Sequence, residues 1–480
     1  MSKLMQSFPY PTPRAEQREV LEFLEKNWDR YDVFVIVVPT GGGKTALSKA
    51  LLTWKHSASY IAPTNLLVDQ FLEEFPETPR LHRLDAYWCE EWLQSCAQTR
   101  ARKKGFCRGC VCSGDLATAK YRRGPGVYNY YTYLSHRIHR PLLVVDEAHG
   151  LISTIQDRVS ELVWHHDYQY PDNGDHATLR RWLEKLPTRI RKHKKIQHLE
   201  EALTAESPRH VIGFTTEQFN GKGTRRGQPE ERRCLKLYPV DVRDHAGMFW
   251  PTGVEKVVLM SATIGPKDIE ELGLASKRVV YLESGSPIPA ERRPIQLVPV
   301  VNMTHSGVDT ELPRLAEEID NIAAYHTGEK GIVHVTYSLA ERLRPLLTGN
   351  RYIFHDRLDK AEKYEKYRQS PAVDGRVLIA CGMYEGIDLP EDLGRWQVVA
   401  KTPFPSLADP AIAHKAEKDP DWYHWTTLKA LIQAAGRVCR TPTDYGITYF
   451  LDKQTERLLS NCDHLLPHWF NDALAAGRDP

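Results

Sequence analysis

An α/β protein with two parallel-sheet domains is what the sequence predicts, and three observations carry that prediction. Short runs of mostly β-branched apolar residues recur along the chain, as strands buried on both faces require. Stretches of helical composition lie between them, and strand–helix alternation implies parallel sheets. The rhythm is interrupted twice in the first half, at 80–123 and 151–251, which therefore read as insertions. A proline-bearing passage at 284–294 separates this half from a second alternating half.

A chain of 480 residues has room for roughly two to four domains. With 41% hydrophobic and 26% charged residues the composition allows a large core. Net charge is only +2, so any nucleic-acid contact must come from local basic patches. No apolar run approaches the ~20 residues of a membrane span, and the first residues lack a signal-peptide core. The expectation is a cytoplasmic protein with no membrane partner. Five of the nine cysteines lie between 89 and 112, which favours metal ligation over a disulfide scaffold.

Taken in order, the first element is a helix over 16–26, with Gln17 at its start placed to read an adenine edge. A strand over 33–38 follows, broken by Pro39 and a glycine loop, and then a helix over 46–52. Strand, glycine loop and helix form a phosphate-binding loop. Thr40, Gly41, Gly42 and Gly43 cradle the anion, Lys44 reaches the β and γ phosphates, and Thr45 offers its hydroxyl to Mg²⁺. Val38 stands where the strict pattern has Gly or Ala.

A short strand at 60–62 ends in Pro63-Thr64 and leads to a helix over 66–75. The first insertion carries the cysteines and a cluster of arginines and lysines, and a tyrosine-rich stretch at 128–133 leads back to the main fold. A second buried strand, 142–145, ends in Asp146-Glu147-Ala148-His149. Asp146 can hold Mg²⁺, and Glu147 can orient and deprotonate the attacking water.

The second insertion predicts helical pieces over 176–203, a basic run at 189–195 and a flexible loop at 221–227. A strand at 257–260 then runs into Ser261-Ala262-Thr263. Strands at 332–336, 376–380, 397–400 and 447–451 make up the second sheet. Between the last two lies Gln433-x-x-Gly436-Arg437-x-x-Arg440, whose arginines, three apart, read as one helix face. They can clamp a γ-phosphate from the second domain, so that a complete site forms only when the domains close.

In their order these motifs resemble a superfamily 2 helicase. Gly382-Met383-Tyr384-Glu385-Gly386-Ile387-Asp388-Leu389 is similar to the fifth motif of its XPD/DinG-like branch. The run from Arg440 through Asp444, Tyr445 and Gly446 is similar to that branch's extended sixth motif. The resemblance implies two RecA-like motor domains, one from 1–79, 124–150 and 252–283, the other from 284–480. It also implies an iron–sulfur domain at 80–123, a mainly helical arch-like insertion at 151–251, and Glu385 and Asp388 at the nucleotide. The activity implied is ATP- and Mg²⁺-dependent 5′→3′ movement on single-stranded DNA, unwinding forked DNA as a monomer. The compact size suggests a phage or bacterial member.

Between 83 and 135 there is no histidine, and thiolates alone suit a [4Fe–4S] cluster. Its candidate ligands are Cys89, Cys96, Cys107 and Cys110, with Cys112 in reserve. A Cys₄ zinc site is the rival; it usually shows two close pairs, whereas six residues separate Cys89 from Cys96. Basic runs at 100–104 and 189–195 would line a pore. Tyr87, Trp88, Trp92 and Phe106 either pack beside the cluster or stack bases. The rival activities are an RNA or RNA–DNA hybrid helicase, and a nucleic-acid clamp switched by ATP.

Overall fold

The computed structural model describes residues 3–478 except 79, 83–85, 90–93, 97–110, 112–123, 137, 172–174, 206–208, 220–229, 305, 385–386 and 388. In chain order the first half contains β1 (Val33–Val37), β2 (Ala58–Ala62), β3 (Trp88–Cys89), β4 (Gln94–Ser95), β5 (Gly126–Asn129) and β6 (Leu142–Val145). It continues with β7 (Glu161–Trp164), β8 (His210–Phe219), β9 (Glu230–Pro239), β10 (Lys256–Ser261) and β11 (Val279–Glu283). Six of these form one parallel sheet in the order β11-β1-β10-β6-β2-β5.

The sheet is buried on both faces, which is why its strands read as unbroken apolar runs. Along β1, Val33 and Val35 enter one core with Leu143, Val145 and Leu259. Phe34 and Ile36 enter the other with Tyr60, Val144 and Met260. A one-residue slip of register would exchange these two sets between cores of different shape.

The second half contains β12 (Ile295–Val301), β13 (Gly331–Val335), β14 (Tyr352–Phe354), β15 (Val377–Cys381), β16 (Trp396–Val399) and β17 (Ile447–Asp452). They form a second parallel sheet in the order β12-β17-β16-β13-β15-β14. Again adjacent residues face opposite cores, Val333 one and Ile332 another.

Two small antiparallel sheets interrupt the first half. β3 pairs with β4 in a hairpin, and β7, β9 and β8 form a three-stranded sheet. In the second insertion the helical pieces expected over 176–203 are His176–Glu184, Thr188–Arg191 and Lys194–Thr204. The long strands β8 and β9 are an addition to the expected helices, and they build the insertion's own core through Ile212, Leu235 and Leu237. The loop at 221–227 lies outside the described residues. Among the described residues no helix is long and apolar enough to cross a membrane.

Candidate nucleotide cleft

The loop after β1 is shaped by backbone that only glycine tolerates. Gly41 and Gly43 have φ of +78° and +77°, in the left-handed region where a Cβ is strained. A Cβ on Gly43 would also stand 2.1 Å from Gln17 Nε2, and one on Gly41 would stand 2.8 Å from the Arg440 carbonyl oxygen. The Gly42 amide closes the turn onto the Pro39 carbonyl at 3.0 Å. Lys44 and Thr45 open the Lys44–Lys55 helix, so the free amides and the positive dipole end point into the loop.

Gln17 is buried against this loop. Its Oε1 accepts from the Arg14 amide at 3.0 Å, while Arg14 Nη2 donates to the Gly41 carbonyl at 2.8 Å. The sequence singled out Gln17 but not Arg14, whose role depends on the loop folding back over it.

Asp146 and Glu147 stand at the end of β6, beside Lys44. Tyr60 donates to Asp146 Oδ2 at 2.8 Å, and the Glu147 amide donates to Asp146 Oδ1 at 2.9 Å. Burial, then the neighbouring Glu147 charge, push the Asp146 carboxyl above its ordinary range. Burial also pushes up the Tyr60 and Tyr130 hydroxyls, with Asp146 adding to it, so both remain donors.

Glu147 sits at φ +46°, a conformation costing about 1–3 kcal/mol in a non-glycine residue. Tyr130 holds the strained turn by donating to the Asp146 and Glu147 carbonyls at 2.5 and 3.1 Å. The turn aims the Glu147 carboxylate at Lys44 Nζ, 2.8 Å away, and at His149 Nδ1, 3.4 Å away. Burial opposes ionisation of this carboxyl, but the Lys44 charge and His149 outweigh it and hold Glu147 well below the usual carboxylate range.

From His149 a line of bonds crosses to the second domain. His149 Nδ1 lies 2.9 Å from Ser261 Oγ, which accepts from the Thr263 amide at 3.0 Å. Gln433 Nε2 donates to Thr263 Oγ1 at 2.6 Å, and Arg437 Nη2 donates to Gln433 Oε1 at 2.8 Å. The loops themselves touch: a Cβ on Gly436 would stand 2.9 Å from Thr40 Oγ1.

Arg437 and Arg440 do not share a helix face, because the Pro420–Ala435 helix ends with Gly436 as its cap. Beyond it the chain turns sharply, with Cys439 at φ +64°. The turn is held by buried Asp444, which accepts from the Arg440 amide at 2.9 Å, the Glu391 amide at 2.9 Å and Arg395 Nη1 at 2.6 Å. Arg437 Nε donates to the Gln433 carbonyl at 2.9 Å, and Arg440 Nη1 to the Gly436 carbonyl at 2.8 Å. Both arginines thus stand on a loop whose shape Asp444 sets.

Glu385, Asp388, Cys107, Cys110 and Cys112 lie outside the described residues, as do Trp92 and Phe106. Cys89 and Cys96 are buried and free of disulfide. Cys89 ends β3 and Cys96 follows β4, its amide donating to the Tyr87 carbonyl at 2.7 Å. Among the described residues no group of three or more metal-ligating side chains gathers. Tyr87 packs into the first core with Cys96, while Trp88 is 65% exposed.

Comparison with known proteins agrees with this layout. The family model "Helicase C-terminal domain" matches residues 329–473, and that of the type III restriction enzyme res subunit matches 10–170. A probable ATP-dependent helicase of Methanocaldococcus jannaschii is 24% identical over 246 residues, 46% of this chain. This chain spans 37% of that relative's length. The structure of S. tokodaii Xpd4 superposes with a TM-score of 0.60 at 14% identity, over 94% of this chain and 98% of that one. An apo XPD structure gives 0.59 at 15% identity, with the same coverages. These two likenesses establish a shared fold. One family match falls on each of the two parallel-sheet halves, and over nearly its whole length the chain shares the fold of the XPD structures.

Proposed function

We propose that this chain moves 5′→3′ along single-stranded DNA, driven by ATP, and unwinds the duplex ahead of it. The observation that carries the motor reading is the unbroken line of bonds from Lys44 through Glu147, His149, Ser261, Thr263 and Gln433 to Arg437. A change at the γ-phosphate alters the first contact, and the line ends in the other domain. Nucleotide state and domain spacing are thereby linked. Both halves of the cleft come from one chain, which supports a monomer.

During hydrolysis Lys44 orients and neutralises the β and γ phosphates, and Glu147 takes the proton of the attacking water. Arg437 and Arg440 meet the charge developing on the γ-phosphate. Thr45 and Asp146 would hold Mg²⁺, which supplies further charge neutralisation at the phosphate oxygens. Glu385 and Asp388 are assigned to the same site by their motif.

DNA as the track, and the polarity, rest on the similarity of the fifth and sixth motifs to the XPD/DinG-like branch. Arg189, Lys192 and Lys194 are exposed on the second insertion, and Trp88 on the first. Such groups supply the phosphate and stacking contacts that a single strand takes. The test compares ATP hydrolysis with single-stranded DNA and with RNA, and strand displacement on forks with a 5′ or a 3′ tail. Stronger stimulation by DNA and displacement from the 5′-tailed fork are expected. Glu147→Gln should lower both activities about 100-fold or more. Stronger stimulation by RNA would make it an RNA or hybrid helicase. Hydrolysis without displacement would make it a clamp.

The first insertion is proposed to hold a [4Fe–4S] cluster through Cys89, Cys96, Cys107 and Cys110. Two buried, unlinked thiols on one small hairpin suit half of such a ligand set. Metal–ligand bonds of such a cluster would add directly to the folding free energy of the insertion. Purified protein should contain about four irons per chain and absorb near ~400 nm, and Cys89→Ser should lose both. Stoichiometric zinc would overturn this assignment.

A further inference from the structure

The Pro420–Ala435 helix turns one stripe toward the first domain. Trp425, Lys429 and Gln433 recur at every fourth position and so share a face. Gln433 reaches Thr263, as described. The other two converge on one carboxylate: Trp425 Nε1 donates to Asp268 Oδ2 at 2.8 Å, and Lys429 Nζ to Asp268 Oδ1 at 2.6 Å. Asp268 lies in the first turn of the Pro266–Glu271 helix, is 0% exposed, and also accepts from the Gly265 amide at 2.9 Å.

The surroundings are built to the same end. The Trp425 ring lies flush on Gly265, where a Cβ would come within 3.0 Å of it. Lys267 pairs with Asp419 at 3.0 Å, and Lys415 pairs with Glu271. The short helix after Ser261-Ala262-Thr263 is therefore bonded at several points to one helix pair of the second domain, Pro410–Lys418 and Pro420–Ala435.

A buried ion pair adds little net stability, because desolvating two charges offsets most of their attraction. What such a pair does well is reject every arrangement in which one partner is left alone. Sliding the Pro420–Ala435 helix by one turn, about 5.4 Å, would strand Asp268 without Lys429 and Gln433 without Thr263.

We propose that Asp268 is a positioning residue for ATP hydrolysis. By holding Trp425 and Lys429 it sets the register of the Pro420–Ala435 helix, and so delivers Gln433 and Arg437 to the first domain opposite Lys44. This deepens the motor reading and rests on it. Asp268 belongs to neither the phosphate loop nor the Asp146-Glu147 pair, so nucleotide affinity and turnover should separate when it is changed.

The experiment measures kcat and KM for ATP in Asp268→Asn, Lys429→Met and Lys429→Arg. In the first two kcat should fall about 30-fold while KM stays within about twofold, the pattern of a lost transition-state contact. Lys429→Arg should restore kcat to within about threefold of the parent. The double variant Asp268→Asn/Lys429→Met should be no worse than the poorer single one, as for partners in one interaction. Lys429→Met serves as the second variant should Asp268→Asn fail to fold. A folded Lys429→Met protein with unchanged kcat, or with a raised KM and unchanged kcat, overturns the proposal.

Amide hydrogen exchange at 261–265 and 433–440 gives a readout independent of hydrolysis. Faster exchange there in Asp268→Asn or Lys429→Met, with β13 unchanged, supports the positioning role, and unchanged exchange refutes it. If the parent protein hydrolyses no ATP, the motor reading fails while the exchange data still decide the role of Asp268.

Discussion

Lys44→Ala should reduce ATP turnover by about 10²–10³-fold or more, on the scale of losing one preorganised charge contact at a transition state. Two effects act together. The phosphates lose their cation, and Glu147 loses the partner 2.8 Å away that keeps it ionised despite burial. With Lys44 gone only His149 still opposes burial, so the Glu147 carboxyl rises and the base is ionised over a narrower pH range. The sign follows from the folded-state value lying below the ordinary one. In the parent, the contribution of this pair is present above the ordinary carboxylate range and is lost as pH falls toward the lower value. The variant should therefore also shift the acid limb of its residual activity to higher pH. Single-turnover hydrolysis across pH measures both, and turnover within a few-fold of the parent would refute the assignment. Iron content should not change, because Lys44 is not among the four proposed cysteine ligands.

Arg437→Ala should lower kcat about 10³-fold, the lower end of the range for removing an arginine that stabilises the transferring phosphoryl group. In addition, Gln433 Oε1 loses its donor at 2.8 Å and the link across the cleft is cut on the far side of Thr263. Arg437→Lys should not rescue it. The side chain bonds through Nε, Nη1 and Nη2 to three different oxygens, and an ammonium cannot span that fork. Nucleotide affinity should change little, because Arg14, Gln17 and the glycine loop all belong to the first domain. Stopped-flow hydrolysis alongside equilibrium binding of a fluorescent nucleotide separates the two. A parallel loss of affinity would show that Arg437 acts in the ground state.

The legible parts of this protein are those whose cause is local. A buried apolar strand, two glycines in the left-handed region and a Lys-Thr opening a helix admit few folds, so β1 and its loop could be read residue by residue. The same holds for β6 with Asp146 and Glu147. The second insertion was harder. β9 runs Glu230-Glu-Arg-Arg-Cys-Leu-Lys-Leu-Tyr-Pro239, with Leu235 and Leu237 in the insertion's core but its first four positions all charged. That charge hides a strand which only pairing with β7 and β8 stabilises. The arginine spacing misled for a related reason. Three-residue spacing implies a helix face only while the helix continues, and Gly436 ends it.

By itself, then, the sequence determined the two sheets and the order of the motifs, because strand burial and the glycine-loop turn are dictated within a dozen residues. Tertiary structure alone decided which groups meet across the cleft. Asp268 and Lys429 are 161 residues apart, and no short-range pattern marks either one. Nor could spacing reveal that Arg14 supports Gly41 or that Asp444 shapes the arginine loop. Those contacts exist because two separately folded sheets dock in one register, and a buried charge accepts only the register that leaves it paired.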